Sequence, residues 1–472
     1  MNRILFSLIF ISLILSISVN VRAEELLHLN FKPFGPITVF KPANEPKTVV
    51  IFASGDEGWS SQVALIADAI VGANGKSKNE QNVLVVGFDT RKYLSTTKTH
   101  KSCLYAAVDF ENLSHWLQKK LKLKHYIIPV LAGHSAGATL VFATLLQAPQ
   151  NTFSGAVSMG FCPELAGARS FCEMHGLKEK QTKAGIQFTP AKRMFAPWTV
   201  LEGQQDEACP APAAREFTTS IEGAKYVELP KVGHGFSKSS SWLPQFKEAL
   251  EEIQRQHEVS YKPSVEIQDL PLVEVPSVKL GHDPRMVVFF SGDGGWASID
   301  REVSENLATK GIPTIGINSL DYFWQKKDPD GAAIDLQRVI DVYSQKWDRG
   351  KVILAGFSLG ADVLPSIAAR LPKKTLAKLA GIALIGPSPT VNFEFNVLDW
   401  VVDDNSGQAV LPEIEKLRKK VPLVCIYGDT EKDSLCPMIK PDGVKVLKMS
   451  GGHHFGGDFD KISNFILTST AR

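Results

Sequence analysis

The residues able to do chemistry fall into two sets of the same form. Ser358 lies in Gly356-Phe357-Ser358-Leu359-Gly360, at the end of one apolar run, and Ser135 lies in Gly133-His134-Ser135-Ala136-Gly137, at the end of another. A serine fenced by glycines, after a strand and before a helix, sits at a sharp turn that presents its hydroxyl outward. The glycines let the backbone bend and let strand and helix approach each other. The plainer reading is a tight strand-to-helix turn with an inert serine. A serine hydroxyl is a poor nucleophile until a base takes its proton. A histidine follows late in each set, His453 in Gly451-Gly452-His453-His454-Phe455 and His234 in Val232-Gly233-His234-Gly235-Phe236. The register between the sets selects His453, with His454 as its alternative, since adjacent side chains cannot both face one serine.

An acid is expected between serine and histidine, to hold the imidazole in the right tautomer and stabilise its cation. The stretch "YGDTEKDSLCP" offers Asp429, Glu431 and Asp433. Matching Cys436-Pro437 to Cys209-Pro210 sets Asp433 opposite Asp206, with Asp429 as the rival. The sets then read Ser358, Asp433, His453 and Ser135, Asp206, His234, the second of these being an active centre, a binding site or a relic. An oxyanion would be met by the amide of Leu359 and by the loop "FSGDGGW", where Gly292, Asp293 and Gly294 are candidates. Two features mark the later set. Asp362, where the earlier set has Thr139, is a candidate receptor for a cationic substrate group, or simply an acid favoured in a helix first turn. Tyr322, Phe323 and Trp324, followed by Lys326 and Lys327, suit a lipid headgroup interface, or else pack beneath a loop.

These residues need a scaffold, and the sequence repeats it. "VVIFASGDEGWSS" matches "VVFFSGDGGWAS", "LAGHSAGA" matches "LAGFSLGA", "LEGQQDEACP" parallels "IYGDTEKDSLCP" and "VGHGF" matches "GGHHF", all in the same order. Four matches in register mean a duplication. Each copy alternates short Val- and Ile-rich runs, apolar on both faces, with helical stripes such as Leu336, Val339, Ile340, Tyr343 and Trp347. That pattern predicts two tandem α/β-hydrolase-like three-layer sandwiches with mostly parallel sheets. The copies are assigned to residues 24–258 and 259–472, joined through a proline-containing stretch, residues 254–277, read as linker and first strand.

Residues 1–23 combine Arg3, an apolar segment and a small residue at Ala23, which reads as a signal for export to the periplasm. An uncleaved membrane anchor is the alternative. The chain has 472 residues and a net charge of +2, with no long basic run, which argues against nucleic acid as a partner. Six cysteines in an oxidising compartment permit disulfides. Cys425 with Cys436 and Cys162 with Cys172 are the expected pairs, unless the thiols are buried and free. No cluster has the spacing of a zinc site, and no cofactor is expected.

The combination of "SGDGGW", "GFSLGAD", "YGDTEKDSLCP" and "GGHHF" with an export signal and a duplication resembles the AcvB/VirJ family of bacterial virulence proteins, closest to its two-copy form. The resemblance covers nearly the whole chain after residue 23. It implies a periplasmic serine esterase that removes lysine from lysyl-phosphatidylglycerol, with Ser358 at the family's nucleophile position. The partner implied is an aminoacylated phospholipid headgroup at the membrane surface. Family members are also linked to type IV secretion, so secretion-system proteins are a further class of partner, and a non-catalytic interaction or chaperone module is the alternative. A hydrolase of another cell-envelope ester is a third reading.

Overall fold

The computed structural model describes residues 25–71, 82–98, 102–260, 265–278, 283–395 and 407–470. The segment read as an export signal lies outside them. In the first copy the strands are β1 (Glu25–Phe31), β2 (Gly35–Lys41), β3 (Thr48–Ala53), β4 (Val83–Phe88), β5 (Val130–His134), β6 (Gly155–Met159), β7 (Glu164–Ala166), β8 (Lys178–Gln181), β9 (Gly185–Thr189), β10 (Arg193–Gly203) and β11 (Glu222–Leu229). The second copy has β12 (Leu272–Val275), β13 (Arg285–Phe290), β14 (Thr314–Ile317), β15 (Lys351–Phe357), β16 (Leu379–Ile385), β17 (Thr390–Val391), β18 (Gln408–Ala409), β19 (Leu423–Gly428) and β20 (Val444–Met449).

The first sheet has the order β1-β2-β4-β3-β5-β6-β10-β11 and the second β12-β14-β13-β15-β16-β19-β20. In each, the strands at the start of the order pair antiparallel and the rest are parallel. The second sheet is the first without its outermost strand. Strands β3, β4, β5 and β6 are buried along their full length. This is why they read as continuous apolar runs: helices cover both faces, so no alternation is called for. The two cores of each copy lie on opposite sides of its sheet. Each copy is thus an α/β-hydrolase-like three-layer sandwich.

The stripe Leu336, Val339, Ile340 and Tyr343 is buried on the helix Pro329–Lys346. Pro365 lies inside the helix Leu359–Ala368, which runs on through it. The stretch read as linker from residue 254 instead begins within the last helix of the first copy, Leu243–Ser260, because Phe246, Leu250 and Ile253 fall at helical spacing and are buried against the sheet.

Three disulfides form. Cys425 pairs with Cys436, as expected, but Cys162 pairs with Cys209 and Cys103 with Cys172. Cys162 and Cys172 do not pair despite their short spacing, because β7 begins just after Cys162 and carries the chain away from it. The fold instead brings Cys209, beyond the end of β10, beside Cys162. Among the described residues, no helix is long and apolar enough to cross a membrane, and no group of His, Cys, Asp and Glu is placed to hold a metal ion.

Candidate active site

Both serines occupy strand-to-helix elbows. Ser135 has φ 56° and ψ −123°, and Ser358 has φ 50° and ψ −120°, each between a buried strand and a helix, Ala136–Gln147 or Leu359–Ala368. A positive φ at a non-glycine residue costs of order 1–3 kcal/mol and persists only where the surroundings impose it. Here the flanking glycines show how they impose it. A Cβ on Gly133 would stand 2.2 Å from the carbonyl oxygen of Gly137, and one on Gly137 would stand 2.2 Å from that of Ala53. In the second copy Gly356 meets Gly360 at 2.4 Å, and Gly360 meets the Phe290 carbonyl at 2.2 Å. Strand, elbow and helix are in backbone contact, and no larger residue fits.

The loop before each elbow is fixed by its tryptophan. Trp59 lies on Gly87 of β4 and Trp296 on Gly316 of β14, so closely that a Cβ there would fall 1.7 Å and 2.1 Å from the ring. The recurring tryptophan is therefore a packing residue that sets the loop against the serine. Gly55 and Gly292 then come within 3.2 Å and 3.6 Å of the Cβ of Ser135 and Ser358, measured from where their own Cβ would stand. In the second copy the Gly292 amide donates to Asp300 Oδ1 at 3.3 Å, which argues against it as an oxyanion donor. The amide of Leu359, the first residue of the helix that follows Ser358, remains as a donor beside the hydroxyl.

In the first copy three side chains join in one chain of contacts. His234 Nε2 lies 2.9 Å from Ser135 Oγ, and His234 Nδ1 lies 2.7 Å from Asp206 Oδ2. Asp206 Oδ1 accepts from the amides of Ala208 and Cys209, at 3.0 and 2.8 Å. The hydrogen bond to Asp206 raises the His234 pKa above its usual value. Burial pushes Asp206 up, but the hydrogen bonds from His234 and the Cys209 amide outweigh it and hold the carboxyl below its usual range. A cavity of about 350 Å³ opens onto Ser135 and His234, lined by Leu165 and Ile186 of the small sheet β7-β9-β8 and by Asp56, Glu57 and Glu164.

The second copy differs at the acid. His453 Nδ1 meets Glu431 Oε1, while Asp433 is exposed. Counting back from the cysteine points to Asp433, whereas counting forward from the end of the strand points to Glu431. Asp206 is the third residue after Gly203, and Glu431 is the third after Gly428. Two extra residues lie between acid and cysteine in the second copy. The rival Asp429 accepts from the Gly451 amide at 2.9 Å and so braces the histidine loop. His453 lies against Phe357 and over Gly386, and the exposed His454 is the ring beside it. Among the described residues, no hydrogen bond joins His453 to Ser358.

The residues proposed to bind substrate take other roles. Asp362 is 7% exposed, and its Oδ1 accepts from the Ser388 amide at 2.6 Å. Burial, with Asp293 nearby, holds its carboxyl well above the usual range. Thr139, its counterpart, bonds the Cys162 carbonyl, so both positions tether the segment that follows the next strand. Tyr322 is buried and donates to Asp335 Oδ2 at 2.7 Å. Trp324 is fully buried, stacked on Phe395 and set against Tyr126 of the first copy. The aromatic cluster faces protein rather than lipid.

A family model described as "Bacterial virulence protein (VirJ)" matches residues 47–255 and again 284–472. Among solved structures, the chain is similar to the esterase domain of a Rhodothermus marinus protein, with 14% identity over 49% of this chain and 98% of that one and a TM-score of 0.32. It is also similar to Est1E from Butyrivibrio proteoclasticus, with 15% identity, coverage of 50% and 99% and a TM-score of 0.31. A third is XC6422 from Xanthomonas campestris, described as an a/b serine hydrolase without lid, with 20% identity, coverage of 49% and 94% and a TM-score of 0.30. No curated protein matches.

Proposed function

We propose, from the premise that the chain belongs to the VirJ family of bacterial virulence proteins in both of its halves, that it is a periplasmic serine esterase acting on lysyl-phosphatidylglycerol. The observation that carries ester chemistry is the contact chain from Ser135 Oγ through His234 to Asp206. The substrate is inferred from the family, and the location from the composition of residues 1–23.

The elbow serine attacks the lysyl carbonyl while the histidine Nε2 takes the hydroxyl proton. The carboxylate at Nδ1, Asp206 in one copy and Glu431 in the other, stabilises the imidazolium. The amide after the serine, with the neighbouring loop, meets the oxyanion. The histidine returns the proton to the glycerol oxygen, which leaves as the anionic lipid. Water, deprotonated by the same histidine, then releases lysine and restores the serine. Ser135 is already bonded to its base. Phe357, next to Ser358, packs against the ring of a histidine–glutamate pair, and the family resemblance puts Ser358 at the nucleophile position.

The test is Ser135→Ala, Ser358→Ala and the double variant in the full chain, with lysyl-phosphatidylglycerol quantified in lipid extracts. The double variant is expected to abolish turnover, and the single variants to assign it between the copies. Unchanged turnover in a folded double variant would overturn the reading.

A further inference from the structure

Behind the first-copy triad lies a second acid that the reaction above does not use. Glu202 is the penultimate residue of β10 and is 0% exposed. Strand alternation sends it to the same side of the sheet as Val200, into the core cluster that holds Phe161 and Phe217. Its Oε2 accepts from the Phe161 amide at 2.9 Å. Its Oε1 is buried and makes no hydrogen bond of ordinary geometry, while the Gly203 amide and the Asp206 carboxyl lie beside the Glu202 carboxyl. Both oxygens of Asp206 are already engaged by donors, from His234, Ala208 and Cys209. On the adjacent strand Tyr226 and Glu228, the register partner of Glu202, share this side of the sheet, with Arg215 paired to Glu228 and lying over the Tyr226 ring.

Two ionised carboxylates could not share this place. Among the described residues, the cation on this side of the sheet, Arg215, is paired with Glu228, and an unpaired buried charge is costly. A proton between the two acids removes both problems, because a protonated Glu202 becomes a donor and its orphaned oxygen gains a partner.

Building on the reading of the first copy as a serine hydrolase, we infer that Glu202 is a positioning residue, a neutral carboxylic acid that donates to Asp206 and holds it ionised and aimed at His234 Nδ1. Burial first, then the neighbouring Asp206, pushes the Glu202 carboxyl up to about 9, which agrees with a proton held at neutral pH. The second copy has Tyr427 at the matching position, one residue before Gly428, so the device belongs to the first copy alone.

The test uses the full chain carrying Ser358→Ala, with Glu202→Gln and Glu202→Leu. The His234 ring is followed by NMR as pH is varied, assigned by its loss in His234→Gln, and hydrolysis of an activated aryl ester is measured in parallel. Glutamine is neutral and can both accept from Phe161 and donate to Asp206. It should leave the His234 midpoint within about 0.2 pH unit and kcat within about threefold. Leucine should weaken or broaden the Nδ1 proton resonance of His234 and lower kcat at least tenfold with little change in KM. A drop of a full pH unit in the His234 midpoint on Glu202→Gln would show that Glu202 was charged and overturn the inference, as would a leucine variant with an unchanged Nδ1 resonance. These ring measurements need no turnover. A protein that fails to hydrolyse the ester even with Glu202 intact instead refutes the hydrolase reading of this copy, and the resonances still decide the role of Glu202.

Discussion

The indole N–H of Trp324, in the second copy, donates to the carbonyl oxygen of Leu123, in the first, at 2.8 Å. Around that bond Trp324 stacks on Phe395 with centroids 5.6 Å apart, Tyr126 closes one side, and Lys119 lies 4.8 Å over the ring. Asn151 reaches across to the Trp296 carbonyl at 3.0 Å, so the first copy also touches the loop that borders Ser358. The copies are packed together, with a tryptophan as the anchor. Replacing it should cost what removing a buried tryptophan usually costs: Trp324→Ala is expected to destabilise the protein by about 3–5 kcal/mol. Trp324→Phe keeps a stacked ring but loses the donor and the second ring of the indole, while Gln325 also reaches the Leu123 carbonyl, at 3.3 Å. That variant should lose about 1–2 kcal/mol. Denaturant titrations of the two variants measure the difference, and equal losses would contradict the anchor role.

The acid of the second copy can be assigned by a paired substitution. Removing the charge that orients a catalytic histidine typically lowers kcat about 10⁴-fold. Glu431→Gln should therefore abolish most of the hydrolysis that depends on Ser358, measured in a Ser135→Ala background. Asp433→Asn, at an exposed position, should stay within about twofold of the parent, as expected of a surface change. The reverse order of effects would restore Asp433.

Glu431 also marks where the sequence stopped being legible. Strand runs, helical stripes and elbow glycines are local patterns, and each could be read because its cause lies within a few residues. The choice of acid depended instead on where two copies are aligned. The strand end is held by the sheet, whereas the cysteine lies past a loop free to change length, so the glycine was the sounder anchor. The aromatic run at Tyr322 was ambiguous for another reason. What buries Trp324 is Tyr126 and the chain at Leu123, and local pattern does not say which distant surface covers a residue. Cys103 and Cys172 meet across 69 residues by the same kind of nonlocal packing. Glu202 could have been noticed as a lone charge in the apolar run of β10, an oddity that its twin Tyr427 does not share.

The raised pKa of His234 has a pH signature. Only the neutral ring can take the serine proton, so kcat/KM of the Ser135 centre should rise with pH through a midpoint above the ordinary histidine value of about 6.5. Asp206→Asn removes the main cause of the shift, so it should lower both the rate and the midpoint. For stability the sign runs the other way. A raised folded-state pKa contributes stability that is complete below about 6.5 and is lost as pH rises through the higher folded value. Rate profiles in a Ser358→Ala background, paired with denaturation at pH 6 and pH 8, check both signs. A midpoint below 6.5 would contradict the Asp206–His234 pairing.

The disulfide Cys162–Cys209 ties this chemistry to the fold. The Cys209 amide donates to Asp206 Oδ1 at 2.8 Å, and the Cys162 carbonyl accepts from Thr139 on the helix that follows Ser135. The bridge thus links the acid's loop to the serine's helix. Its partners are separated by 47 residues, a loop for which chain entropy gives about 4 kcal/mol of stabilisation. The double variant Cys162→Ser, Cys209→Ser should lose stability on that scale. It should also lose Ser135-dependent hydrolysis by more than tenfold, because the Cys209 amide would no longer be fixed beneath Asp206. Opening Cys103–Cys172 by Cys103→Ser, Cys172→Ser provides the contrast. Its separation of 69 residues predicts a similar loss of stability, about 4 kcal/mol, but it touches neither Asp206 nor Thr139, so the rate should hold while the protein stays folded. Equal losses of rate in the two variants would mean that general loosening, rather than placement of the acid, is what the bridge prevents.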